Sequence, residues 1–314
     1  MIPTLTLNPS LDRTFHIDRL IRDSVIRVES STVEAAGKGV NVSRALSANG
    51  HNSVAVLPIG GPTGSHMIEL LDENGPPYEA VAIDASLRSN LTVVEADGTV
   101  TKLNEGGAVV SADQLEALIG AFLTKVPDGG WGVACGSLPP GVPADTYAEI
   151  ARRARNRGVN VAIDTSGPAL ADAIEASPAL VKPNVDELRQ ITSEPIATLG
   201  DVVEAGRTLN RSGIGQALIS LGADGVVLVS DDLVLYGQVE VPNVINTVGA
   251  GDTLLAGYMT SPTDPWTGLT TALAWARAAI RSRQTTMEHV SQEDFDAVTV
   301  TDTFDTDRQL AGTA

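Results

Sequence analysis

Trp131-Gly132-Val133-Ala134-Cys135, a helical stretch over 144–157, and then the apolar run 159–163: this passage decides the class of fold. Two short apolar runs too brief for helices read as buried strands, and the segment between them reads as a helix. The alternation spreads in both directions. A helix over 111–125 precedes the first of these strands. Downstream, a short helix at 168–176 leads to Leu180-Val181, a helix at 201–212 leads to a strand at 217–220, Gly225–Val229 is a further strand, and helices at 252–260 and 266–283 follow. Upstream, residues 2–7 read as a strand stopped by Asn8-Pro9. Residues 38–49 read as a helix with Val42, Ala45 and Leu46 on one face and Gly50 as its stop, 54–59 as a buried strand, and 64–73 as a helix. Strands alternating with helices imply an α/β fold, a mostly parallel sheet flanked by helices on both faces. In such sheets ligands bind outside the carboxyl ends of the strands.

Two segments break the pattern. Residues 90–95 and 99–103 are β-prone and joined by Ala96-Asp97-Gly98, a hairpin signature. The stretch 13–35 alternates through Phe15, Ile17, Val25, Ile26, Val28 and Val33. These two pieces are expected to pair as a small separate sheet. The division is then a core of 1–12, 36–87 and 106–314 and a β lid of 13–35 and 88–105. Residues 301–314 are polar and are expected to fray. There is no internal repeat and no low-complexity segment.

The 314 residues suit one large domain with an appendage. A formal net charge of -18 repels nucleic acid and anionic membrane, so neither is an expected partner. Any phosphate site must be built locally, from backbone N–H groups and a few cations. Lysine is rare: Lys38, Lys102, Lys125 and Lys182 are the only four. The single cysteine, Cys135, permits no intrachain disulfide and fits a reducing cytoplasm. The N-terminus lacks a basic signal-peptide region, and no run of 18 apolar residues offers a membrane span.

The strongest chemical signal is Asn246-Thr247-Val248-Gly249-Ala250-Gly251-Asp252 opening a helix. Glycines allow close approach, and the first N–H groups of a helix point unpaired at an anion. Asp252 at its edge can accept a proton from a hydroxyl, although alone it reads more readily as a helix cap. The loop lacks the Lys-Ser/Thr pair of a P-loop. Ala35-Ala36-Gly37-Lys38-Gly39-Val40-Asn41 is a second glycine site before a helix, able to touch sugar oxygens or phosphate, or a plain tight turn. In Lys182-Pro183-Asn184-Val185-Asp186-Glu187, Asn184 and Glu187 share one face of a starting helix and suit a hydrated Mg²⁺, or simply the helix start. Ser220-Leu221-Gly222-Ala223-Asp224-Gly225 can wrap a nucleotide or merely turn between strands. Arg88 and Asp12 flank the small sheet and alone read as solvated charges.

Taken in order, these motifs resemble the PfkB (ribokinase-like) family of carbohydrate kinases along nearly the whole chain. Gly37–Val42 and Val248–Asp252 match its two signature regions. The stretches 6–12, 35–42, 136–142, Asp164-Thr165-Ser166-Gly167 and 182–184 resemble its phosphosugar branch, which holds 1-phosphofructokinases, tagatose-6-phosphate kinases and minor 6-phosphofructokinases. The resemblance implies a Rossmann-like domain with a β lid, lids that pair in homodimers, and ATP-dependent phosphorylation of a ketohexose phosphate, foremost fructose 1-phosphate. It implies Asp252 as catalytic base and Gly249, Ala250 and Gly251 as the anion hole. Asp12, Gly37, Lys38, Gly39, Asn41 and Ser137 would line the sugar pocket, and Arg88 would grip the phosphate already on the sugar. Lys182, Asn184, Ser220, Gly222, Gly225, Gly249 and Gly251 would hold ATP, and Glu187 would organise Mg²⁺ through water. Asn246 stands where many members have Asp, which leaves a K⁺ site at 246–248 open. The basic run from Arg281 to Thr286 departs from the small residues usual near adenine. The rivals are a kinase of another sugar or phosphosugar, a non-catalytic sensor on the same fold, and a dinucleotide oxidoreductase, which lacks its Gly-x-Gly-x-x-Gly after the first strand.

Overall fold

The computed structural model describes residues 1–192, 195–242, 244–282 and 289–311. In chain order its first half holds β1 (Ile2–Thr6), β2 (Ser10–Ile17), β3 (Ser30–Ala36), α1 (Lys38–Ala48), β4 (Ser53–Ile59), α2 (Gly61–Asn74), β5 (Tyr78–Ala82), β6 (Arg88–Glu95), β7 (Val100–Asn104) and α3 (Ala112–Lys125). The second half holds β8 (Trp131–Cys135), α4 (Thr146–Asn156), β9 (Asn160–Asp164), α5 (Pro168–Glu175), β10 (Leu180–Val181), α6 (Val185–Ile191), α7 (Leu199–Arg211), β11 (Gln216–Ser220) and β12 (Val226–Ser230). β13 (Val234–Val239), α8 (Ala250–Met259), α9 (Pro265–Ile280), α10 (Gln292–Asp296) and β14 (Val298–Thr301) complete it.

A ten-stranded sheet runs in the order β14-β13-β12-β11-β10-β9-β8-β1-β4-β5. From β11 to β5 every pairing is parallel; β12, β13 and β14 add an antiparallel edge. Side chains alternate across this sheet, as strand geometry requires. Val133, Cys135, Ala162, Leu218 and Leu228 point into the core under α1, α8 and α9. Ala134, Val161 and Ile163 point into the core under α3, α4 and α5. Near the antiparallel edge Ile219, Val227 and Val229 pack under α7. Both faces are therefore dry, which explains the continuous apolar runs of β8, β11 and β12.

The second sheet has four strands, β3-β2-β6-β7, with β2 and β6 parallel and the other pairs antiparallel. β2 begins at Ser10, three residues before the alternating stretch, and β3 ends at Ala36, one residue after it, while Val25, Ile26 and Val28 lie in the connection between the two strands.

Three strands were not legible in the sequence. β5 is a short edge strand of mostly half-exposed residues. In β13, Gly237 breaks the β-prone signal because a Cβ there would lie 2.4 Å from Leu273 Cδ1. β14 runs into the stretch expected to fray, and for residues 301–311 that expectation is corrected, 312–314 lying outside the described residues. Leu310 is buried and its N–H donates to the Ala197 carbonyl at 2.8 Å, while Arg308 pairs with Asp224 at 2.8 Å. The tail through residue 311 is docked because the buried carboxylate of Asp224 also accepts from the Ala311 N–H.

Candidate active site

The register of the parallel strands brings their carboxyl ends level. Thr6 pairs with Cys135, Cys135 with Asp164, and Ile163 with Val181. Asp164 and Lys182 therefore emerge side by side, with the Gly136-Ser137 loop next to them.

Helix α1 is docked onto β1 by hydroxyls. Thr4 Oγ1 donates to the Gly39 carbonyl at 2.7 Å, and Thr6 Oγ1 accepts from the Val40 N–H at 3.1 Å. Only glycine permits this approach. A Cβ on Gly39 would sit 2.4 Å from Thr6 Oγ1, and Gly37, at φ 134°, would place one 2.7 Å from Thr6 Cγ2. The first turn of α1 thus stands over the end of the sheet. Lys38 donates to Asp164 Oδ1 at 2.8 Å, and Asn41 Nδ2 donates to Asp252 Oδ2 at 2.8 Å.

Asp252 lies in the first turn of α8, whose N-cap Gly249 adopts the left-handed conformation at φ 79°. No side chain caps this helix. The N–H groups of Gly251 and Asp252 find no acceptor among the described residues. The Ala250 N–H reaches the Thr247 carbonyl at 3.3 Å. The space in front of Gly251 is open except for Lys182 Nζ, 3.5 Å from where a Cβ would be. The result is a cluster of free donors and one ammonium group, suited to an anion.

Burial pushes the Asp252 carboxyl up to about 6, helped by the negative charge of Asp164 and opposed by Lys38, the Asn41 hydrogen bond and Lys182. A carboxylate with that affinity is ionised at neutral pH and still basic enough to draw a proton from a hydroxyl.

At the lid junction, Asn8 is the connector. Its Nδ2 donates to Ser137 Oγ at 3.2 Å and to the Gly106 carbonyl at 3.0 Å. Its own carbonyl accepts from Arg88 Nη2 at 3.0 Å, while Arg88 Nη1 reaches the Glu105 carbonyl at 3.2 Å. Burial lowers the Arg88 affinity for its proton, with Asp12 and Glu105 pulling the other way. Asp12 and Asn90 face each other across β2 and β6, with Asn90 Nδ2 donating to Asp12 Oδ1 at 2.9 Å.

The structure therefore gathers Lys38, Asn41, Lys182, Gly251 and Asp252 at one point, and ties Arg88 to Ser137 through Asn8. The remaining candidates are placed as follows. Asn184 and Glu187 form a reciprocal capping box on α6, with Asn184 Oδ1 accepting from the Glu187 N–H at 2.8 Å and Glu187 Oε2 from the Asn184 N–H at 2.9 Å. Glu187 is close enough to Lys38 to help hold its proton. Ser220 sits against Asn184 through a parallel bridge. Gly222 and Gly225 have φ of 63° and 99°, and a Cβ on Gly225 would lie 2.3 Å from the Gly237 carbonyl, so the β11–β12 turn itself requires them. Asn246 Oδ1 accepts from the Val248 N–H at 2.9 Å. Arg281 pairs with Glu293 and Asp294, and positions 283–286 of the basic run lie outside the described residues. Among the described residues, no three His, Cys, Asp or Glu side chains converge as a metal cage.

Sequence reading gave no role to Asp164, Asn8 or Asn90. Asp164 had a usable signal: a carboxylate ending an apolar strand, where ligands of parallel sheets bind. Asn8 lies in the 6–12 motif, but its partners, like those of Asn90, are too distant in the chain for the sequence to show them.

Residues 6–285 match the family described as pfkB family carbohydrate kinase. The 1-phosphofructokinase of Rhodobacter capsulatus is 36% identical over 83% of this chain and 84% of its own. That of Haloferax volcanii is 36% identical over 82% and 83%. Among solved structures, phosphofructokinase-2 from Escherichia coli, in complex with potassium, superposes with a TM-score of 0.87 at 29% identity, covering 94% of this chain and 96% of that one. The fold is ribokinase-like, a mostly parallel α/β sheet with a small separate sheet.

Proposed function

Because the chain belongs to the pfkB family of carbohydrate kinases, we propose that it is an ATP-dependent sugar-phosphate kinase whose preferred acceptor is fructose 1-phosphate, giving fructose 1,6-bisphosphate. The observation that carries this reading is the buried Asp252 carboxylate, held by Asn41 beside the uncapped start of α8.

In this reading the primary hydroxyl of the ketohexose phosphate lies against Asp252. Its oxygen attacks the γ-phosphorus of ATP in line, the bond to the β,γ-bridging oxygen breaks, ADP leaves, and the hydroxyl proton passes to Asp252. The N–H groups of Gly251 and Asp252 and the ammonium of Lys182 face the charge that develops on the transferred group. Gly249 sets the turn that aims those N–H groups. Lys38 stays charged despite its burial, because the Asp164 and Asp252 carboxylates outweigh that burial. Gly37 and Gly39 bring the Lys38–Asn41 turn against the acceptor. Asp12, Asn41 and Ser137 hold sugar hydroxyls, and Asn184 and Ser220 lie on the nucleotide side.

Glu187 fits a Mg²⁺ borne by the nucleotide: one carboxylate oxygen caps α6 and the other remains available, and such an ion keeps most of its waters. When bound, it neutralises phosphate charge. A cytoplasmic setting belongs to the same reading, supported by the one fully buried free thiol; among the described residues no helix is long and apolar enough to cross a membrane.

The decisive assay is coupled ADP release with fructose 1-phosphate, fructose 6-phosphate, tagatose 6-phosphate and fructose. The highest kcat/KM is expected for fructose 1-phosphate. A higher value for another phosphosugar reassigns the acceptor, and turnover of none of them ends the kinase reading. Arg88→Ala should raise KM for the phosphosugar on the order of a hundredfold with kcat much less affected, as expected for a charge-assisted grip on a phosphate. An unchanged KM for every phosphosugar removes Arg88 from that role.

Lid pairing into a homodimer is part of the proposal. The lid carries Leu20, Ile21, Val25, Val28, Val100 and Leu103 exposed, with Val25 at 95%. Such apolar surface, on the β2–β3 connection and on β7, favours association. Sedimentation as a monomer at tens of micromolar would exclude it.

A further inference from the structure

The Asp164-Thr165-Ser166-Gly167 motif has no part in the scheme above, yet Asp164 is 1% exposed at the centre of the site. Its Oδ1 accepts from Lys38 Nζ at 2.8 Å, and its Oδ2 lies 3.2 Å from Lys182 Nζ. Its backbone carbonyl accepts from the Gly136 N–H at 2.9 Å, and the Thr165 hydroxyl donates to the Gly136 carbonyl at 2.9 Å. The end of β9 therefore touches the start of α1, the loop that carries Ser137, and the loop whose Lys182 stands before Gly251.

We propose that Asp164 is the positioning residue of the phosphoryl transfer: it fixes Lys38 on the acceptor side and Lys182 on the donor side, so that the two ammonium groups bracket the group in flight over Gly251. This rests on the kinase reading of the same site. Two lysines brought together without a carboxylate would repel, and each carries four rotatable bonds that must be frozen before it can help. A single carboxylate shared between them answers both problems and leaves the trio one positive charge in excess, the right sign for a phosphate. The trio is also self-consistent electrostatically. Burial raises the Asp164 affinity for a proton, but Lys182 and Lys38 outweigh it and keep the carboxylate ionised.

Asp164→Glu keeps the buried charge, and hence the fold, but moves the carboxylate by one methylene. Since a displacement of about 1 Å can cost on the order of a hundredfold, kcat should fall at least about tenfold while both KM values change less. Asp164→Asn should lower kcat further. Because Asp164 acts through the lysines, Asp164→Asn introduced into a Lys38→Met/Lys182→Met enzyme should change kcat by less than about threefold. A readout without turnover is the carboxyl ¹³C titration of Asp252, which faces Lys38 and Asn41 from α1, Asp164 from β9 and Lys182 from the loop after β10. In Asp164→Asn its midpoint should move to lower pH, because a negative neighbour is lost and Lys38 and Lys182, no longer held by Asp164, keep Asp252 as the nearby carboxylate. This titration stays readable even if no phosphosugar is turned over, so failure of the kinase reading and failure of this inference are separable. Wild-type kcat in Asp164→Glu, full additivity on the double-lysine background, or an unmoved Asp252 midpoint each overturns the proposal. So does recovery of Asp164→Asn by raised Mg²⁺, which would make Asp164 a metal ligand instead.

Discussion

Asp252→Asn lowers kcat on the order of a thousandfold or more, leaves KM for the phosphosugar within a few-fold, and does not destabilise the protein. The loss is large because a positioned base contributes about 10² to 10⁴ in rate and an amide cannot accept the proton. Binding survives because the amide oxygen of an asparagine can still accept from Asn41 Nδ2. The stability result follows from the direction of the shift. In the fold the Asp252 affinity for its proton is raised from 3.8 to about 6, so its stabilising contribution is present in full below about pH 4 and is lost as pH rises through about 6. At pH 7.5 the ionised carboxylate therefore costs on the order of 3 kcal/mol, which the neutral variant does not bear. The variant's Tm should equal or exceed that of the wild type at pH 7.5, and any advantage should shrink as pH falls through 6. In the wild type, kcat/KM should rise with unit slope up to a pH of about 6 and then level. A variant that keeps near-normal kcat, or a wild-type profile flat from pH 5 to 8, rules out Asp252 as the base.

Why the fold and part of the site could be read from the chain, and part could not, comes down to the range of the interactions involved. The passage from Trp131 to Ile163 is legible because each strand is dry on both faces and each helix has a length no strand shares. The lid is legible from the hairpin at Ala96-Asp97-Gly98 and the alternation of β2 and β3. β13 is hidden because Gly237 is chosen by the Leu273 and Leu269 side chains of a helix more than 30 residues on. The docked tail is hidden because its anchor, Asp224, lies in a turn where nothing local betrays a half-buried ion pair with Arg308. In the site, glycine-rich helix starts announce anion binding, since the donors belong to the backbone of the motif itself. Asp252 is ambiguous alone because a helix cap and a catalytic base can be the same residue type at the same position; in the fold its carboxylate does not cap α8 but accepts from Asn41, 211 residues away. Glu187 shows the converse. Its spacing from Asn184 suits a metal, and the fold uses that same spacing for a capping box, leaving one oxygen over.

Gly251→Ala should fold as well as the wild type and yet lose on the order of a hundredfold or more in kcat/KM. Three glycines at the site separate the reasons for having no side chain. At Gly39 the hydrogen stands where a Cβ would collide with Thr6 Oγ1 at 2.4 Å and reach the Leu5 carbonyl at 3.0 Å, so Gly39→Ala displaces α1 from β1 and should cost stability. At Gly249 the reason is the left-handed backbone, for which alanine costs on the order of 1 kcal/mol. Gly251 has neither excuse. Its φ is not positive, it is within α8, and a Cβ would meet only Lys182 Nζ, at an ordinary 3.5 Å. Helix propensity even favours alanine there. What a methyl group at Gly251 does occupy is the gap between the free N–H groups of α8 and the Lys182 ammonium, where the proposed mechanism has the transferred phosphoryl group pass. Losing one such donor set typically costs 10² to 10³ in rate. Thermal unfolding and steady-state kinetics on Gly251→Ala, with Gly39→Ala as the packing control, distinguish the two roles. Should Gly251→Ala turn over at the wild-type rate, the phosphoryl group does not cross this helix start. Lys182 would then serve the nucleotide from some other position.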